Sequence, residues 1–119
     1  MSLRRLLDDA IHYARQGVPV TNSQHRLTAA KMPELKDQAG FAQTFLHQGQ
    51  APATGSVFLQ AQLAATLEQI ARAGTEDFYR GDLARSMARD LEALGSPLRL
   101  ADLQRHQARL VDPLTLAHS

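Results

Sequence analysis

Asp8 and Asp9 stand four and three residues before His12, and Asp102 stands four before His106. At those steps a carboxylate and an imidazole share one face of a helix, where such a pair can hold a metal or pass a proton. Each set stops at a pair, and a metal centre needs a third ligand. The plainer reading is a solvated surface pair contributing little. The remaining histidines, His25, His47 and His118, are scattered, and no HxxxH or HExxH grouping occurs.

Ser56 follows Gly55, but the Gly-x-Ser-x-Gly frame of a nucleophile elbow is absent, so Ser56 reads as a residue on the approach to a helix. No glycine cluster matches a phosphate loop or a dinucleotide fingerprint. There is no cysteine, which removes disulfides, thiolate metal sites and a cysteine nucleophile. One polar cluster remains. Glu76, Asp77 and Arg80 surround Phe78-Tyr79 and could line a small site. The structural alternative is a capped corner whose aromatic rings plug a helix junction, with the Tyr79 hydroxyl needing a partner or water if buried. On these grounds no residue is assigned a catalytic, cofactor-binding or metal-binding role, and no cofactor is expected.

The elements that carry these residues are helical by pattern. In the stretch Gly55 to Ala84, Leu59, Leu63, Leu67, Ile70 and Ala71 recur at steps of three and four, which predicts one apolar helix face. Gly74 ends that helix. Thr75 can cap a short turn whose Glu76 and Asp77 suit the positive end of a helix dipole. Gly81 closes the turn, and Asp82 opens a further helix. Leu6, Leu7, Ala10, Ile11 and Ala14 predict an amphipathic helix over about 3–16, stopped by Gly17 and Pro19. Val18-Pro19-Val20 reads as an extended link.

Thr21, Asn22 or Ser23 can cap a second helix through about Ala30, with Pro33 interrupting. Phe41, Thr44, Phe45 and Leu46 suggest a short helix ending near Gly49, and residues 50–55 read as loop. Leu83, Met87, Leu91 and Leu94 predict a helix closed by Gly95 and Ser96-Pro97. Leu100 and Leu103, extending to Ala108, mark a last short helix. Leu110 to Leu116 reads as extended, with apolar side chains and no partner strand. The expected class is all-α: short amphipathic helices joined by Gly/Pro loops, in one piece spanning 1–119.

A length of 119 residues fits one domain with a modest core. Aromatic residues are 5%, so that core must come mainly from Leu, Ala, Ile and Val. A formal net charge of +1 carries no electrostatic footprint for nucleic acid or an anionic membrane. No apolar run is long enough to cross a bilayer. Met1-Ser2-Leu3 leads into charged Arg4, Arg5, Asp8 and Asp9, unlike the apolar core of a secretory signal.

Residues 58–84, Phe-Leu-Gln-Ala-Gln-Leu-Ala-Ala-Thr-Leu-Glu-Gln-Ile-Ala-Arg-Ala-Gly-Thr-Glu-Asp-Phe-Tyr-Arg-Gly-Asp-Leu-Ala, resemble a segment of the γ-glutamyltransferases (γ-glutamyltranspeptidases). That family has a similar Gln-Pro-x-Leu-Ala-x-Thr-Leu run followed by an x-Gly-x-x-x-Phe-Tyr-x-Gly corner. Residues 7–20 resemble its Pro-Ala-Ile-x-x-Ala-x-x-Gly-Phe-x-Val, and residues 95–103 its Gly-Gly-x-Leu-Thr-x-x-Asp-Leu. The three blocks fall in the family's order and cover nearly the whole chain. Ala61 departs from the usual proline, Arg99 stands where a capping Thr is common, and His106 where Tyr is usual. Losing the Thr cap opposite Asp102 should weaken the last helix by about 1 kcal/mol.

The resemblance implies an N-terminal-nucleophile hydrolase, self-cleaved into large and small subunits, that transfers or hydrolyses γ-glutamyl groups such as that of glutathione. Its nucleophile is the threonine that begins the small subunit. This chain corresponds to a helical part of the large subunit, and neither the threonine motif, the arginine that grips the substrate carboxylate, nor the glycine-rich oxyanion region has a match here. The expectation is a fragment inactive by itself, partnered by the rest of the large and small subunits. In isolation it should self-associate through apolar surface. The rival reading is a free-standing all-α interaction module.

Overall fold

The computed structural model describes residues 1–116, which form two compact units, Met1–Gly74 and Thr75 onward. In the first, Ser2 opens α1 (Leu3–Gln16) by accepting the Arg5 N–H at 3.3 Å, and Gly17 ends it with φ 88° and ψ 165°. The chain then runs through β1 (Val18–Pro19), α2 (Asn22–Leu35), α3 (Phe41–Phe45), β2 (Val57–Phe58) and α4 (Ala61–Ala73). The second unit contains α5 (Thr75–Arg80), α6 (Asp82–Ala93) and α7 (Leu100–Arg105). No helix among the described residues is long and apolar enough to cross a membrane.

The first unit is built on α1 against α4. Ile11, Ala14 and Val20 are buried with Ala64, whose single methyl group lets the two helix backbones approach closely. Two polar ties hold the pair. The Gln60 N–H donates to the Ala14 carbonyl at 2.9 Å, filling an acceptor that the end of α1 would otherwise leave open. Arg15 pairs with Glu68 at 2.6 Å.

The predicted all-α class needs a correction here. Val18-Pro19 does extend, but it pairs antiparallel with Val57-Phe58, Val18 opposite Phe58 and Pro19 opposite Val57. The Val20 N–H to Ser56 carbonyl and Gly55 N–H to Val20 carbonyl bonds, both 2.8 Å, continue the ladder. The described residues are mostly helical, with a short two-stranded ribbon. Leu59, assigned to the apolar face of the central helix, therefore lies before that helix begins and is exposed.

Pro33 also behaves differently from its expected role. The helix capped by Thr21, which accepts the Gln24 N–H at 3.1 Å, runs through it to Leu35. A proline this near the end forfeits one donor and crowds one carbonyl. The final turn still closes, with the Lys36 N–H on the Met32 carbonyl at 2.9 Å and Lys31 on Glu34 at 2.7 Å.

Within the second unit, α5, α6 and α7 pack around Ala84 and Ala88, again small buried residues. The last helix stops at Arg105, short of Ala108, and residues 106–116 belong to neither helix nor strand. Leu110, Val111, Leu114 and Leu116 stand in solvent. No large side chain among the described residues is fully buried.

Candidate functional site

The polar corner expected at Glu76, Asp77 and Arg80 exists, and its members take separate tasks. On α5, a four-residue step puts Glu76 beneath Arg80, and they pair at 2.8 Å. Asp77 turns the other way, and its carboxylate accepts the Asp82 N–H at 2.8 Å, capping the first turn of α6. That close approach is possible because Gly81 has no side chain. The ring of Tyr79 meets Phe78 edge-on at 5.0 Å between centroids and lies nearly parallel to His106, also at 5.0 Å with 21° between planes. Arg80 then donates to the His106 carbonyl at 2.9 Å. Thr75, Glu76, Tyr79, Arg80, His106 and Gln107 line an open depression of about 610 Å³. It is wide and solvated, with its cation already engaged by a carboxylate and a carbonyl.

Neither Asp–His pair assembles as a proton relay. Asp8 faces Arg4 at 3.7 Å and Arg5 at 4.0 Å, while the His12 ring meets Tyr13 edge-on. Asp102 accepts the Arg99 N–H at 2.9 Å and pairs with Arg105. His106 has left the helix and stacks on Tyr79 instead. Among the described residues, no group of three or more His, Asp or Glu side chains comes together to hold a metal. His25 Nδ1 lies 3.0 Å from the Pro52 carbonyl, joining α2 to the 50–55 loop. The backbone of His47 pairs with that of Gln50. His118 lies outside the described residues.

The hydroxyl groups seen in bonds act on the backbone. Ser2, Thr21 and Ser96 accept N–H groups, and Ser56 donates to the Ala53 carbonyl at 2.6 Å, closing a turn before β2. These are caps and turns, the commonest use of short polar side chains.

The start of α7 retains half of a capping box. Arg99 has only donors, so it cannot accept from the helix as a threonine would, and it donates to the Ser96 and Leu98 carbonyls. The reciprocal half survives in the Arg99 N–H to Asp102 bond. That bond, followed by the Arg105 guanidinium, holds the Asp102 carboxyl below the usual carboxylate range. A folded pKa below the unfolded one stabilises the helix above the unfolded value, and the contribution is lost as pH falls through the folded value. An acid titration followed by amide NMR should therefore leave α7 signals unchanged at and above neutral pH and shift them, as the helix end frays, only in that acid window. An Asp102→Asn chain should show no such step.

Comparison with known proteins places this geometry. A family model described as gamma-glutamyltranspeptidase matches residues 1–119. The chain is 51% identical over 118 residues to oxamate amidohydrolase proenzyme of Klebsiella pneumoniae, covering 99% of this chain and 22% of that protein. It is 34% identical over 115 residues to a glutathione hydrolase-like proenzyme, YwrD, of Bacillus subtilis, covering 97% of this chain and 22% of that one. Among solved structures, cephalosporin acylase from Bacillus halodurans superposes with a TM-score of 0.89 at 31% identity, over 98% of this chain and 23% of that chain. The gamma-glutamyltranspeptidase from Pseudomonas nitroreducens complexed with L-DON gives 0.80 at 31%, over 92% and 31%. The chain thus spans about a fifth of the length of these curated relatives.

Proposed function

The chain belongs to the gamma-glutamyltranspeptidase family, and from that premise we propose that it is a helical section of a larger enzyme that transfers or hydrolyses γ-glutamyl groups. In this reading the nucleophilic threonine lies outside the chain, and the helices serve as scaffold for the parts that carry the chemistry. One observation supports it above the others: the family match runs over all 119 residues, yet those residues span only 22% of relatives named as hydrolase proenzymes. The full-length match weighs against a free-standing interaction module. Family membership is also consistent with the polar corner being structural, since its charged groups satisfy one another and the backbone.

The test is direct. The 119-residue chain alone should release no p-nitroaniline from γ-glutamyl-p-nitroanilide, and measurable turnover would overturn the assignment. A second substrate class is favoured by the 51% identity to an oxamate amidohydrolase. A longer polypeptide containing this chain should be offered glutathione and oxamate side by side, with glutamate and ammonia as readouts. Glutamate release supports γ-glutamyl chemistry; ammonia from oxamate supports the short-amide reading.

The partners in this proposal are the remaining parts of the large and small subunits. Leu110, Val111, Leu114 and Leu116 are apolar groups standing in water, a pattern that marks a contact surface. The isolated chain should accordingly self-associate. Light scattering over a concentration series is expected to show mass rising with concentration, whereas a constant monomer mass would count against it.

A further inference from the structure

The helices α5 and α7 have six residues each, too few to be stable in isolation. They meet at one well-defined place. The His106 carbonyl, at the C-terminal end of α7, is an acceptor without a partner in its own helix. It receives the Arg80 guanidinium from α5 at 2.9 Å. A cation there also suits the negative end of a helix dipole. The Tyr79 ring covers the His106 ring on the same side, and the Glu76 pair holds Arg80 in its reach. Beyond His106 the character of the chain changes. Among the described residues, none from 107 to 116 makes a hydrogen bond or ion pair with the rest.

We propose that Tyr79 and Arg80 form a clasp across the end of α7, so that α5 and α7 form and melt in one step and the apolar segment after His106 is anchored or released with them. Each helix supplies what the other lacks. The short helix α7 gains a C-terminal cap from outside, and Arg80 and Tyr79 of α5 gain a fixed partner. The clasp is a conformational device that decides whether residues 107–116 leave from a rigid point or from an unwound tether. It stands independently of the enzymatic proposal above.

Hydrogen exchange by mass spectrometry on the intact 119-residue chain tests it. In Arg80→Gln, which removes the charge and is too short to reach the His106 carbonyl, amides of α5 and α7 should exchange about tenfold faster together. Amides in the middle of α6 should keep their original rate. Tyr79→Leu, which keeps bulk but removes the ring stack, should accelerate the same two helices to a smaller degree. Tryptic cleavage after Arg105 should quicken in both variants. Faster exchange in only one of the two helices, no change in either, or equal loosening of α6 would each overturn the proposal.

Discussion

Replacing Gly17 by alanine should cost roughly 1–6 kcal/mol, two penalties at the same atom less a small entropic return. Gly17 ends α1 at φ 88° and ψ 165°, a backbone region that is essentially reserved for glycine. Holding an L side chain there costs about 1–3 kcal/mol. The added Cβ would also press into Val57 Cγ1 and lie 3.0 Å from both Leu59 Cδ2 and the Phe58 carbonyl oxygen. The carbonyl is backbone in the ribbon and cannot swing aside, so overpacking adds about 1–3 kcal/mol. A reduced unfolded-state entropy returns at most about 1 kcal/mol. Urea unfolding followed by far-UV circular dichroism should show the midpoint collapse. Gly74→Ala is an informative control, since φ there is also 88° but nothing lies within 4 Å of the new Cβ. It should lose only the strain part. Equal losses at the two sites would show that the ribbon contact carries no weight.

Gly81→Ala should cost about 2–4 kcal/mol for a different reason. With φ at −97°, Gly81 is not in the left-handed region, and the demand it meets is for room. A Cβ there would lie 2.7 Å from the Asp77 Cα and would displace the carboxylate that caps α6. The first effect is overpacking of about 1–3 kcal/mol; the second is loss of a cap, about 1 kcal/mol. Because one group suffers both, the variant combined with Asp77→Ala should lose less than the sum of the two single changes. Additive losses in that double-mutant cycle would separate the cap from the crowding and refute the shared cause.

Both positions bear on what could be read from residues alone. The stop at Gly17 and the corner at Gly74–Gly81 are local patterns, visible because a helix end needs a particular residue within a few positions of the last apolar step. The ribbon was not visible. Val18-Pro19 and Val57-Phe58 are separated by about forty residues, and two-residue strands have too few positions to show alternation. The same missing long-range information placed Leu59 in a helix that starts later. Pro33 reads as an interruption because it lacks an N–H and crowds the preceding turn, yet the helix carries that local cost and runs on to Leu35. At the polar corner, residue types were legible but directions were not. The role of Asp77 depends on where the Asp82 N–H points, and the Tyr79–His106 stack joins residues far apart in sequence. The family resemblance rested on block order, which tolerates all of these local differences.

The ribbon also closes a long excursion of the chain at its base. Val20 and Ser56 are fastened together at 2.8 Å, and the stretch between them returns to where it left. Neither α2 nor α3, which make up most of that excursion, contributes a buried residue. The foundation of the unit closes beneath it. Changes of length at the exposed tip of this arm should therefore disturb the helix pair it springs from far less than changes at the ribbon itself.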